Sequence, residues 1–468
     1  MVLNGLTIQR AAARAVGGLL LSLALSRAWA QSGELAGSMP EDYLPGLKTI
    51  LESAGQRSPQ MIAADFERTL AEARIDGANA ARFPSVGGNL NFAHNQTAVS
   101  SNTSTQTRDS GLFYNIGVTQ SLFHWRALQN QSDSARINLW IARKSYDVAS
   151  RELGVVLRRS YLALVVEKAR LRAAAESLKL LRSELAVTAE KHERGTVSSA
   201  ALEGDKLRVR EVQLEVDRAR AEFDANRRRF ARLAGLTELT DAAVPDEIPR
   251  PAFSPDLAAA LTAAALRDGA KSTLEYEIYE LRVRDAMLRH AIEKVRLYPK
   301  FFASAGYSLE NSTNVNGNTV NQQGIQRRTV SLYAQWSIFD GFATRGVLRE
   351  ALAAKRFQER QLVVGMEGML QNIQILERSL KLDAEQVALA EIRHALAVEG
   401  SNVLAKEVEF GNVPKSDFDR ARATILQAEA KNQESRAILL GRWSEFVALA
   451  GADPAQKNPS VRHVREKK

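Results

Sequence analysis

Six histidines are the first residues to weigh for chemistry: His94, His124, His192, His290, His394 and His463. They are scattered, and no H-E-x-x-H helix, nucleophile elbow or phosphate-cradling glycine loop joins them. Lone helical histidines such as His290 and His394 read as solvent or packing residues. Cysteine is absent, which removes disulfides, thiolate metal sites, cysteine nucleophiles and an N-terminal lipid acceptor. These residues point away from an enzyme and imply no cofactor and no metal. What is left is charge. Asp417 stands early in a helix that follows Pro414, and Arg420, three residues on, shares its face and can pair with it. Read alone, Asp417 is equally an acid favoured by the dipole at a helix start.

The helices that carry these charges are too long for a globular core. From Trp125 to about His192 there is no proline, and such a helix reaches on the order of 100 Å. Positions 153, 157, 160, 164, 167, 171, 174, 178, 181 and 185 step by alternating four and three, and Leu153, Leu157, Leu164, Leu171, Leu178, Leu181 and Leu185 fill most of them. Leu362, Met366, Met369, Ile373, Leu376 and Leu380 keep the same rhythm later in the chain. A sustained seven-residue seam predicts coiled coil. The rhythm stops at Gly195 and Gly411, where glycine accepts the positive φ of a tight reversal. New helices begin near Ser198 and Lys415, so each long helix doubles back as a hairpin.

The chain repeats itself. Ser121-Leu122-Phe123 returns as Ser337-Ile338-Phe339, Gly195-Thr196-Val197 as Gly411-Asn412-Val413, and Leu233-Ala234-Gly235 as Leu449-Ala450-Gly451, each at a separation of 216. Pro245, Pro249, Pro251 and Pro255 mark the join between copies. The expected organisation is a first repeat over 31–235, a Pro-rich linker over 236–255, a second repeat over 256–451 and a polar basic tail over 452–468.

Each copy carries two strands ahead of its long helix, at about 85–94 and 111–122, then about 300–309 and 329–338. All four alternate, with Val86, Leu90 and Phe92 set against Ser85, Asn89 and Asn91, for example. The polar segments Asn95 to Ser110 and Asn311 to Arg328 read as long loops, which fits outer-membrane hairpins. A half-buried soluble hairpin shows the same alternation. The polar face of small uncharged residues suits a wet lumen and favours the membrane reading. Four strands cannot close a barrel and open edges cannot face lipid, so closure needs several chains, and three give twelve strands. Phe123, Trp125, Tyr298, Trp336 and Phe339 stand where strands meet helices and would mark the periplasmic interface.

The N-terminus has Arg10 and Arg14, an apolar run from Val16 to Leu25, and Ala28-Trp29-Ala30 before Gln31. That pattern predicts a signal peptide over 1–30. The net charge of +9 is spread among acids along helices, as in Lys168, Arg170, Arg172 and Glu176, a solvated face rather than a nucleic-acid footprint.

With those landmarks in place, the mature chain resembles the TolC family of outer-membrane efflux and secretion proteins. Ser337-Ile338-Phe339-Asp340-Gly341 is similar to the family's strand-to-helix junction, where Asp340 would cap the helix and Gly341 permit the turn; Ser121-Leu122-Phe123-His124-Trp125 departs from it at the last two positions. The phrases around Gly195, Thr196, Val197 and Gly411, Asn412, Val413 resemble the family's hairpin tips, which dock into a periplasmic adaptor.

The resemblance implies a mainly α fold with a small membrane β part. Long α-helical hairpins would form a periplasmic α-barrel, and four β-strands per chain would build a trimeric 12-stranded outer-membrane β-barrel. It implies a homotrimer in the outer membrane of a Gram-negative cell, extending into the periplasm. Its partners would be an adaptor (membrane fusion protein), an inner-membrane pump of the RND, ABC or a similar class, and outer-membrane lipid. In some members of that family, carboxylates six and nine residues after the second tip glycine form rings that constrict the tunnel mouth. Here those positions are Asp417 and Arg420, so one ring is kept and the other reversed in sign. The competing expectation is a non-conducting coiled-coil scaffold of the envelope, which leaves the strands and the duplication unexplained.

Overall fold

In a computed structural model, residues 39–99, 105–316 and 319–456 are described. The expected signal peptide, the tips of both strand hairpins and most of the basic tail lie outside them. The helices are α1 (Pro40–Tyr43), α2 (Pro45–Arg57), α3 (Pro59–Ala80), α4 (Ala127–Glu193), α5 (Ser199–Ala234), α6 (Pro255–Asp268), α7 (Leu274–Lys294), α8 (Ala343–Glu409) and α9 (Lys415–Leu449). Four strands, β1 (Ser85–Val99), β2 (Thr105–Phe123), β3 (Lys300–Asn316) and β4 (Thr319–Gln335), complete the order. The chain divides into two compact units: 66–144 with 278–364, and the remainder.

The first of these units holds one antiparallel sheet in the order β1-β2-β3-β4. Its register aligns the apolar positions of all four strands on one face: Leu90 pairs with Tyr114, Ile116 with Tyr307, and Ala305 with Val330. That face is bare. Leu90 is 71% exposed, Val330 86% and Leu332 77%. The opposite face carries Ser85, Thr119, Ser304 and Ser331 in one cross-strand row, with the Ser304 and Ser331 hydroxyls 2.7 Å apart.

The strands depart from expectation at both ends. They run through most of the segments read as loops, with Asn95 paired to Asp109 and Val315 to Val320. Polar composition misled there, because ladder bonds are made by backbone and Thr is at home in strands. A ribbon with water on both faces has no reason to alternate. At the other end β4 stops at Gln335, so Trp336 and Ile338 are not in the sheet. Lys300–Gln335 is the last pair, and the next partner would be Pro299, which has no N–H to give.

The second unit is built on helical seams. Leu153, Leu157, Leu164 and Leu178 of α4 are nearly or fully buried, as are Met366, Met369, Ile373 and Leu380 of α8. Each such side chain contributes roughly 1.5–3 kcal/mol of hydrophobic stabilisation. Polar bonds define the order of the long helices. Asn226 of α5 donates to Glu167 of α4 at 2.7 Å, Arg170 of α4 pairs with Glu434 of α9 at 2.9 Å, and Arg436 of α9 pairs with Glu391 of α8 at 3.0 Å. The layer therefore runs α5–α4–α9–α8, with α5 and α8 at its edges.

The Pro-rich join is no free linker. Leu239, Val244 and Ile248 are buried in the core, and its carbonyls are bonded by Tyr161, Lys168, Arg172 and Arg436. Prolines stop helix without preventing packing, and the residues between them are apolar enough to bury.

Candidate functional site

The two helix reversals are built alike. Gly195 has φ +74° and Gly411 φ +72°. Thr196 N–H donates to the Lys191 carbonyl and Asn412 N–H to the Glu407 carbonyl, both at 2.9 Å. Gly195 and Gly411 donate three residues back, to His192 and Val408. This six-to-one and four-to-one closure caps the last carbonyls of a helix and requires the left-handed residue that glycine supplies. A Cβ at either glycine would meet nothing within 4 Å, so the constraint is backbone conformation alone. The flanks differ. Thr196 Oγ1 donates to the Lys191 carbonyl at 2.8 Å, His192 Nδ1 lies 2.8 Å from the Val197 carbonyl, and Ser198 Oγ caps α5 through Ala201 N–H. In the second copy Pro414 is the N-cap and has no side-chain bond to give. Phe410 there is 78% exposed.

Just beyond the second reversal, Arg420 Nη1 donates to Asp417 Oδ1 at 3.1 Å, which brings the two together. Its Nη2 donates to Glu184 Oε1 of α4 at 2.8 Å. Glu184 holds the guanidinium above its ordinary pKa, with Asp417 adding to the effect. The pair is thus a triad that spans from α9 to α4, tying one hairpin to the other. Glu184 escapes a reading of the sequence because nothing local distinguishes it from other acids on a solvated helix face.

At the junctions between strand and helix, Asp340 Oδ2 accepts the Thr344 N–H at 2.8 Å and also the Thr344 hydroxyl. These bonds pull the carboxyl below the usual carboxylate range. Gly341 and Phe342 have φ +65° and +69°. The first copy makes the same turn without a glycine, with Trp125 at +53° and Arg126 at +64°, an arrangement that costs roughly 1–2 kcal/mol per residue. Trp125 Nε1 donates to the Pro299 carbonyl at 2.8 Å, and its ring packs edge-on to Phe123 and Tyr298. His124, in the place of Asp340, packs against Phe302; burial first, then the charge of Lys300, lowers its pKa. Phe339 lies against Phe342 with ring centres 5.3 Å apart.

Among the described residues no helix is long and apolar enough to cross a membrane, and no group of His, Asp and Glu could hold a metal ion. The family model for outer membrane efflux proteins matches residues 50–236. Over that segment, which holds most of the first repeat, the chain is similar to outer membrane efflux proteins. No curated protein matches its sequence.

Its fold is that of solved outer-membrane channels. The Campylobacter jejuni CmeC outer membrane channel is 12% identical, covering 88% of this chain and 87% of its own, with a TM-score of 0.67. The Vibrio cholerae outer membrane protein VceC is 15% identical over 88% of this chain and 97% of its own, at 0.62. The open state of the Neisseria gonorrhoeae MtrE outer membrane channel is 12% identical over 89% and 92%, at 0.60.

Proposed function

We propose that three copies of this chain form a passive exit duct, a twelve-stranded barrel in the outer membrane continued by a tunnel of helical hairpins. Substrate would be delivered from below by an adaptor and an inner-membrane pump. The observation that carries this reading is the four-stranded sheet: one face is apolar and bare, the other carries the hydroxyl row Ser85, Thr119, Ser304 and Ser331, and β1 and β4 are both open edges. A bare apolar face suits lipid, a hydroxyl-lined face suits a wet lumen, and two open edges require further chains. The reversals at Gly195–Val197 and Gly411–Val413 are the proposed adaptor contacts. The triad Asp417, Arg420 and Glu184 is the proposed gate, with three copies of each residue around the mouth. The purified trimer in a planar bilayer is expected to conduct ions, and a heat-modifiable trimer without conductance would leave the non-conducting scaffold as the better account.

A further inference from the structure

The last helix before the second reversal carries a second apolar stripe that stands exposed among the described residues. Ile375, Leu382, Leu389, Leu396 and Val403 recur at every seventh residue of α8, and each is between 52% and 65% exposed. They lie on the side of α8 away from Ile373, Leu380 and Val387, which face the core. At the other edge of the helical layer, α5 exposes Leu207 at 64% and Leu214 at 51%, again seven apart. Stripes of this spacing are coiled-coil seams lacking a second helix.

We infer that the α8 stripe of one copy seats on the α5 stripe of the next, antiparallel, with Val403 against the partner copy at position 207 and Leu396 at position 214. This rests on the trimeric reading above and adds which faces meet and in what register. In a ring about one axis α8 runs toward the reversals and α5 runs away from them, so neighbours are antiparallel. The reversals lie at similar height, since Arg420, near the start of α9, reaches Glu184, near the end of α4. Leu207 and Leu214 are then level with Val403 and Leu396 to within about 3 Å along the axis. Charge agrees with that register. Beside the stripes, Glu203 of α5 falls level with Lys406 of α8, and Arg210 with Glu399, so both flanking pairs are opposite in sign.

A chain without cysteine makes the test clean. Full-length protein carrying Leu207→Cys and Val403→Cys, in outer membranes or detergent, is expected to give covalent dimers and trimers on oxidation or with a short bismaleimide. Leu207→Cys with Leu389→Cys, off register by about 21 Å, is expected to stay monomeric on a denaturing gel. The edge pair Glu203→Cys with Lys406→Cys carries the same expectation where loss of the leucine impairs assembly. Light scattering separates the two ways of failing. A trimer in which neither matched pair cross-links, or in which the off-register pair cross-links as well, overturns the seam and leaves the trimer standing. A monomer overturns both.

Discussion

At the scale of single residues, the equivalent glycines that end α5 and α9 show how the two copies divide labour. Gly235 and Gly451 have φ +71° and +72°, so both resist any side chain. Only Gly235 is also crowded, for a Cβ there would lie 2.3 Å from the Arg57 carbonyl oxygen, whereas at Gly451 the nearest atom is 3.9 Å away. Gly451→Ala is therefore expected to cost about 1–2 kcal/mol from backbone strain, and Gly235→Ala to add roughly 1–3 kcal/mol of overpacking. Urea unfolding compares them, and equal losses would contradict the packing difference.

The gate triad yields a second expectation at this scale. Arg420 makes the link between hairpins, so Arg420→Ala and Glu184→Gln should raise single-channel conductance more than Asp417→Ala does. Loss of Asp417 or of Glu184 should relieve block by divalent cations, because each removes an acid from the mouth, whereas loss of Arg420 should not. High salt should shrink all three differences, since Arg420 and Asp417 are exposed and Glu184 is only half-buried. Wild-type conductance in the Glu184 and Arg420 variants would place the constriction elsewhere.

Among elements, α4 is the one to which the ends of the described chain are fastened. Arg158 is fully buried and bidentate to Glu41 from α1, and it also donates to Asp453 beyond α9 and to Ser444. Burial works against its charge, but the bonds to Asp453 and Glu41 outweigh that and raise its pKa above the ordinary value. A group raised in this way keeps its contribution at every pH below its unfolded pKa, so the clasp does not loosen through the Arg in any physiological range. Arg158→Met strands two carboxylates away from water and should cost on the order of 3–5 kcal/mol; a loss under about 1 kcal/mol in urea unfolding would mean the site is wetter than it stands here.

The strands allow a sharper contrast. Val330 is 86% exposed, and an arginine there would cost a soluble hairpin almost nothing. On a lipid face it would cost about 2–4 kcal/mol at mid-bilayer. Val330→Arg should therefore deplete the outer-membrane fraction, while Ser331→Arg, on the hydroxyl face, should insert normally. Equal insertion of the two would favour the soluble reading.

The whole molecule sets the last expectation, which concerns orientation. Tags near Asn102 and Gly317, outside the described residues but between the ends of paired strands, should be reached by antibody on intact cells. A tag at Gly195 should be hidden unless the cell is opened. Surface labelling at Gly195 would reverse the orientation.

Much of this organisation is local and so was legible from the chain itself. A heptad rhythm and a helix-ending glycine are set by neighbours three to seven residues away, which is why the seams through Leu157 and Ile373 and the reversals at Gly195 and Gly411 appear in the sequence. Strand existence was legible from alternation, but strand length was not, because alternation disappears once both faces of a ribbon meet water, as at Asn95 and Asn311. Tertiary structure alone decided the rest. Glu184 becomes part of the candidate gate only when α9 lies beside α4, bringing an arginine 236 positions away to its carboxylate. The join around Val244 and Ile248 becomes core only because α4 and α9 offer donors for its carbonyls. An ion pair or a buried loop is a property of two distant segments meeting, and composition at either one does not contain the other.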